Sequence, residues 1–201
     1  LLAAVVGLVA TWAIARKTSF LGKLTLTLGA GTLLTMAAIL LTGALHFDAR
    51  RAFGFPEHAF TLGPRFLIGL GGATLISTYD YLGYYDICYL GDEVKNPGRV
   101  IPRSILWSIA LCATAYLGIY LVVIGVIPWR QAMASHFVVS ELMERLHGRT
   151  AAILLTLAVL WTAFGSVFAL LLGYSRIPYA AARDGYFFAP FARVHQTKGF
   201  P

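Results

Sequence analysis

The chain has 201 residues, of which 58% are hydrophobic and 12% charged, whereas soluble domains carry about 25% charged residues. Its mean hydropathy of +0.73 excludes an ordinary soluble domain. The formal charge of +7 does not indicate nucleic-acid binding, because the basic residues stand singly or in pairs at the ends of apolar runs and form no basic patch or aromatic platform.

Five stretches of the chain lack any charged residue: 1–15, 24–47, 66–79, 104–129 and 150–175. Crossing a bilayer core of about 30 Å as an α-helix takes roughly 20 residues. Long runs that are apolar on nearly every face are typical of lipid-embedded helices. We therefore predict an all-α membrane protein with a single transmembrane domain over 1–201, whose helices cover about 1–15, 22–46, 66–91, 103–129 and 150–175.

The first run, 1–15, is shorter than a full span, and the chain opens with Leu-Leu-Ala rather than methionine. We expect a fragment that begins inside a helix. A cleaved signal peptide is a poorer explanation, because no basic region precedes the apolar stretch. The second helix, 22–46, is rich in threonine and glycine, which favours close helix packing, and a hydroxyl that lines an ion path is the alternative.

The connecting segments predict the orientation in the membrane. The loop 47–65 contains Pro56 and Pro64 and reads as an external connection, and the amphipathic stretch 131–147 predicts an external surface helix. The fourth helix is expected to begin near Pro102, since proline suits a first turn. Ten basic residues then lie on one side and six on the other, so the richer side, with 95–103 and 176–201, is predicted to be cytoplasmic.

The third predicted helix contains features that a lipid-facing helix disfavours. Gly83 lies between Asp80 and Asp86, and an ionised carboxylate at the bilayer centre costs roughly 2.5–3.5 kcal/mol on insertion scales. A sequence tolerates this where the helix is locally unwound beside a polar cavity, as in secondary transporters. We therefore predict a broken helix near residues 80–86, whose main-chain groups bind a small solute.

Tyrosines surround this break at positions 79, 81, 84, 85 and 89. A tyrosine combines a flat apolar face with a hydroxyl, which suits a gate that closes over a solute of mixed polarity. The alternative is that the tyrosines and aspartates pair with each other as structural contacts inside the bundle. The sequence leaves both interpretations open.

Two motifs resemble the amino acid–polyamine–organocation permeases. The first runs from Tyr81-Leu82-Gly83-Tyr84 to Asp92-Glu93-Val94-Lys95-Asn96-Pro97-Gly98-Arg99-Val100-Ile101-Pro102 and resembles the sixth helix and following loop of that family. The second is Phe164-Gly165-Ser166, with Ser175-Arg176 and Arg183-Asp184-Gly185 downstream, and resembles the eighth helix and next loop. The resemblance implies helices four to eight of a twelve-helix carrier with the LeuT-like inverted-repeat fold. The family's first helix, which this chain does not contain, would then supply the rest of the solute site.

The resemblance also implies roles for particular residues. Gly83 falls at the unwound glycine and Tyr84 at the aromatic gate, while Tyr81, Leu82 and Tyr85 supply the surrounding backbone. The acidic pair before the loop would join cytoplasmic interactions with basic side chains as the carrier changes state. The coupling candidates are Asp92, Glu93, Lys95, Arg99, Thr32, Gly165 and Ser166.

Three positions depart from the commoner family pattern. Asp80 and Asp86 stand where small or uncharged residues are more usual, which predicts a cationic or polar solute, or a carboxylate that carries a proton. Thr32 falls where some members have a lysine that mimics a sodium ion. Lys23 lies nine residues earlier, about 13 Å along a helix, and cannot substitute for that lysine. Lysine-based proton coupling is therefore not expected.

The function that this resemblance implies is secondary active transport of amino acids or related amines across the cytoplasmic membrane by alternating access. The expected partners are the solute, the lipid bilayer and protons or sodium as a coupling ion, with no nucleic acid, cofactor or metal. A non-transporting sensor or a channel on the same fold is the alternative. An intramembrane enzyme is less favoured, because it needs a metal cluster or a nucleophile–base pair inside the bilayer.

Overall fold

The computed structural model of the chain describes residues 2–16, 18–56 and 59–193. Within its helices, the side chains of six residues lie outside the described set: Leu2, Thr18, Ser19, Leu90, Asp92 and Glu93. Over the described ranges the secondary structure is entirely helical, with no strand. The predicted cytoplasmic segment 176–201 is described as far as Arg193.

The described residues contain nine α-helices and two 3₁₀ helices. The α-helices are α1 (Leu2–Ile14), α2 (Thr18–Ala44), α3 (Ala49–Ala52), α4 (Pro64–Asp80), α5 (Pro97–Val126), α6 (Trp129–Ala134), α7 (Val138–His147), α8 (Arg149–Tyr174) and α9 (Arg176–Arg183). The 3₁₀ helices are Asp86–Glu93, which follows α4, and Ala189–Ala192, which follows α9.

Three helical stretches in the described part of the chain are long and apolar enough to cross a bilayer: Phe20–Ala44, Pro97–Val126 and Arg149–Arg183. Large apolar side chains on them point away from the protein interior, as at Leu34, which is 70% exposed, and Leu106, which is 69% exposed. Such helices keep their backbone hydrogen bonds internal and offer apolar surface to lipid. The predicted all-α membrane class is confirmed.

Some helix ends differ from those predicted. α5 begins at Pro97 rather than near Pro102, because Pro97 takes the first helical position and the Asn96 carbonyl accepts the amides of Arg99 and Val100 at 3.1 Å. Pro102 consequently lies inside the helix. The predicted surface helix over 131–147 is divided into α6 and α7, since the Ser135 hydroxyl accepts the Phe137 amide at 3.1 Å and interrupts the helical hydrogen bonds.

The chain divides into two compact units, and each has its own core. The first unit comprises Leu1–Ala37, Tyr85–Ser104 and Ile153–Pro201, and the second comprises Ala38–Tyr84 and Ile105–Ala152. The buried core of the first consists of Ala13, Leu21, Leu28 and Phe168. The buried core of the second consists of Val122, Val123, Val126, Ile127 and Leu142.

Glycines allow close helix contacts in both units. In the first unit, Gly31 of α2 lies directly against the indole of Trp161 on α8, where a Cβ would overlap the ring. In the second unit, Gly43 of α2 lies against Val122 of α5 in the same manner. Close approach through small residues is the usual mode of helix packing in membranes, where apolar burial alone gives little driving force.

The end of α5 is held by the segment that follows α2. Arg51 donates a hydrogen bond to the Val126 carbonyl at 2.6 Å, and the Asp48 amide donates to the Gly125 carbonyl at 3.2 Å. Arg145 of α7 also donates to the Val126 carbonyl, at 3.5 Å. The last carbonyls of a helix lack intrahelical partners, so these donors complete the end of α5.

Candidate functional site

The predicted break in the third helix is confirmed. α4 ends at Asp80, and the Tyr81 and Leu82 amides close the last turns on the carbonyls of residues 78 and 79 at 3.3 and 3.1 Å. A run of turns covers 81–85. The 3₁₀ helix then begins at Asp86, with the Cys88 amide donating to the Tyr85 carbonyl at 2.8 Å. With 17 residues, α4 alone is about 25 Å long, shorter than a bilayer core.

Gly83 explains why the chain breaks at this point. Its φ is +103°, a backbone conformation that glycine reaches freely and that a side chain makes costly. An α-helix cannot continue through such a residue, so the hydrogen-bond ladder stops on the α4 side and restarts as a 3₁₀ helix. The glycine that the sequence singled out is therefore the residue on which the interruption depends.

On the second unit, a groove follows α4 up to the break. Its volume is about 630 Å³, which falls within the usual range for small-molecule sites. Its lining mixes apolar side chains with hydroxyls and consists of Leu70, Ala73, Thr74, Ser77, Thr78, Tyr81, Leu82 and Tyr84. Among the described residues of α4 none is buried, and Tyr84 remains 49% exposed.

Tyr116 of α5 holds the end of α4 in the same unit. Its hydroxyl donates to the Asp80 carbonyl at 3.3 Å, and its ring meets that of Tyr81 edge-on, with centroids 5.7 Å apart. Tyr116 was not among the residues singled out from the sequence. The available signal was a tyrosine inside a long apolar helix, whose hydroxyl needs a partner when it is withdrawn from water.

On the first unit, three tyrosines gather beside Asp86. The ring centroids of Tyr85 and Tyr89 are 6.2 Å apart, and those of Tyr89 and Tyr174 are 5.7 Å apart. The side chains of Tyr85 and Tyr174 are also hydrogen-bonded to each other. Tyr174 is the last residue of α8 and was not predicted as a site residue, although it follows a glycine at the end of an apolar run.

The structure therefore places the predicted solute-binding residues in two groups. Asp80, Tyr81, Leu82, Gly83 and Tyr84 belong to the second unit. Tyr85 and Asp86 belong to the first. Tyrosine pairs of the structural kind occur in both units, but the Asp86 Oδ1 atom is buried and has no hydrogen-bond partner among the described residues.

The coupling candidates are dispersed. Thr32 and Gly165 come together, since a Cβ at Gly165 would lie 4.0 Å from the Thr32 hydroxyl, which itself donates to the Leu28 carbonyl at 3.0 Å. Ser166 is exposed and donates to the Thr162 carbonyl at 3.2 Å.

The acidic pair and its candidate partners follow the 3₁₀ helix. Asp92 and Glu93 close that helix, but their side chains lie outside the described set. Lys95 is exposed in the turn before α5, and Arg99 is exposed in the first turn of α5. The coupling roles of all these residues stay predictions.

Comparison with known proteins gives a match along the whole chain. The family described as amino acid permease matches residues 1–201. The chain is 28% identical to the Large neutral amino acids transporter small subunit 2 of Rattus norvegicus over 100% of its own length and 38% of that protein. It is 31% identical to the Cationic amino acid transporter 3, mitochondrial, of Arabidopsis thaliana over 65% of the chain and 21% of that protein.

A bacterial relative extends the comparison. The chain is 24% identical to the Branched-chain amino acid permease BcaP of Bacillus subtilis (strain 168), over 67% of the chain and 30% of that protein. The chain thus spans less than two-fifths of the length of the curated relatives named here, at most 38%.

Proposed function

This chain belongs to the amino acid permease family, and we propose on that basis that it serves the secondary active transport of an amino acid or related amine. The membrane is the cytoplasmic membrane, and the cycle is alternating access. The names of these relatives refer to large neutral, cationic or branched-chain amino acids, and these classes are the first solutes to test.

The interruption at Gly83 is the observation that carries this proposal. Helix ends leave main-chain carbonyls and amides without intrahelical partners, and they concentrate partial charge there. In a bilayer, such groups persist only where protein or a water-filled cavity replaces the missing partners. A solute with an amine and a carboxylate supplies groups of both kinds. The groove along α4 ends at this break and offers room for a small solute.

The remaining residues take their roles from this arrangement. Tyr84, half-exposed at the break, closes over the bound solute. Asp92 and Glu93, with Lys95 or Arg99, form and break contacts on the cytoplasmic side as the carrier changes state. Thr32, Gly165 and Ser166 either allow α8 to move against α2 or bind a coupling ion. Protons or sodium drive accumulation, or one solute exchanges for another.

Counterflow in proteoliposomes tests the proposal. The complete gene product is reconstituted, loaded with unlabelled leucine or lysine, and supplied outside with a trace of the labelled compound. Transient, saturable accumulation of chemically intact solute supports a carrier. An ohmic current without saturation indicates a channel, binding without counterflow indicates a sensor, and chemical conversion of the solute indicates an enzyme. Each of these three outcomes contradicts the proposal.

A further inference from the structure

Asp86 carries a carboxylate with one oxygen that the described residues leave without a hydrogen bond. Its Oδ1 atom is buried, with no hydrogen-bond partner among the described residues. Leaving a buried acceptor unpaired is unfavourable, and more so when the group is charged. An unpaired carboxylate within a membrane protein is a functional feature by default. This oxygen is therefore able to accept a hydrogen bond from water or from a solute.

The surroundings of Asp86 are aromatic. In a 3₁₀ helix the side chains three positions apart lie on one face, which puts Asp86 and Tyr89 side by side. The hydrogen-bonded Tyr85 and Tyr174 rings extend the same cluster from both ends. Gly173 faces it from α8: a Cβ there would lie 3.7 Å from the Tyr89 ring and 3.8 Å from the Asp86 Cβ. The glycine thus allows α8 to lie close to Asp86 and to the Tyr89 ring.

A carboxylate among tyrosine rings is suited to an organic ammonium group. The negative faces of aromatic rings attract cations, and the attraction grows when the site is desolvated. The carboxylate adds a charge-assisted hydrogen bond and neutralises the pair. A neutral solute would leave Asp86 uncompensated, and an anionic solute would be repelled by it.

We propose that Asp86, Tyr85, Tyr89 and Tyr174 form a binding site for the side-chain ammonium group of a basic amino acid or a diamine. This inference rests on the proposed function, since it names the class of solute that the carrier takes. In this site Asp86 pairs with the positive charge of the solute, and the tyrosine rings contact its alkyl chain and ammonium group. Asp80 belongs to the second unit and stays a predicted solute-binding residue.

Lysine and norleucine provide the test, because they differ mainly in the terminal ammonium group. The purified complete protein in detergent is titrated with each, and the midpoint of thermal unfolding is followed. We expect the wild type to prefer lysine by about tenfold or more, the value of one charge-assisted contact. Asp86→Asn removes the charge at constant shape and should reduce the preference to about twofold or less. The matched control Asp184→Asn, at an exposed position, should keep it.

A second pair of variants tests the rings even if Asp86→Asn does not fold. Tyr89→Phe keeps the aromatic face and should keep the preference for lysine, whereas Tyr89→Leu should lose most of it. Equal affinity for both compounds, no response to either, or an unchanged preference in Asp86→Asn would overturn the proposal.

Counterflow separates this inference from the proposed function. Counterflow of norleucine without lysine would refute the ammonium site and leave the carrier intact. Lysine binding that depends on Asp86, in a protein without any counterflow, would support the site and refute the carrier.

Discussion

The hydroxyl of Tyr116 donates a hydrogen bond to the main-chain carbonyl of Asp80, 3.3 Å away, at the residue where α4 ends. The two residues are 36 positions apart in the chain. A carbonyl in the last turn of a helix has no intrahelical partner, and in a membrane water does not replace it. One side chain of α5 thus supports the end of the helix that precedes the break.

We expect Tyr116→Phe to destabilise the protein without preventing its insertion. The substitution keeps the edge-on contact with Tyr81 and removes one hydrogen bond, which contributes about 0.5–1.5 kcal/mol net. The midpoint of thermal unfolding in detergent should fall by about 2–5 °C. Tyr120→Phe on the same helix is the matched control, since Tyr120 is 55% exposed, and it should leave the midpoint unchanged. Equal effects of the two variants would show that the bond to Asp80 contributes nothing.

Gly83→Val should strongly reduce transport while the protein still inserts and folds. A branched residue at φ +103° stores about 1–3 kcal/mol of strain or forces the turn into another shape. Uptake should fall about tenfold or more, with Gly83→Ala in between. Gly72→Val in α4 is the control, because a Cβ there meets nothing within 4 Å among the described residues. Wild-type uptake by Gly83→Val would refute the broken-helix site.

The break itself could be predicted from the sequence because its causes are local. A glycine between two aspartates, inside an otherwise apolar run, conflicts with a continuous lipid-facing helix whatever its neighbours are. Position 83 therefore carried enough information by itself. The class of fold was equally accessible, since the lengths of the apolar runs follow from the thickness of the bilayer.

The partners of the break could not be predicted, because they are contributed by distant parts of the chain. Tyr116 and Tyr174 approach the two sides of the break only through helix packing, and no spacing in the sequence links them to positions 80 or 86. Helix ends were uncertain for a different reason. Pro97 and Pro102 are both compatible with a first turn, and the left-handed φ of +54° at Asn96 accompanies a start at the earlier proline.

Gly43→Ala should be the most destabilising of the simple glycine substitutions in α2. The added Cβ would overlap the side chain of Val122. Because Val122 is 6% exposed and branches at its own Cβ, its side chain cannot easily move away. Overpacking of this kind costs about 1–3 kcal/mol, which should lower the midpoint of thermal unfolding by several degrees.

Two further variants isolate the steric origin of that effect. Gly29→Ala makes the same change in the same helix where nothing lies within 4 Å, and it should be neutral or slightly stabilising. Combining Gly43→Ala with Val122→Ala should recover part of the loss, because the smaller side chain makes room for the new methyl group. If the double variant loses more stability than the two single variants together, steric overlap is contradicted.

The charge distribution predicts which loops face the cytoplasm, and cysteine labelling tests it directly. Gly98→Cys and Leu62→Cys are introduced separately after both native cysteines, Cys88 and Cys112, are replaced by serine. Leu62 is 80% exposed in the segment before α4, and Gly98 is exposed in the first turn of α5. A membrane-impermeant maleimide should label Leu62→Cys in intact cells but Gly98→Cys only after permeabilisation.

Basic residues near the ends of spans are retained on the cytoplasmic side, and Lys95, Arg99 and Arg103 surround Gly98. The reverse pattern would show that Arg50 and Arg51 decide the orientation instead, and would place the candidate coupling residues Lys95 and Arg99 outside the cell.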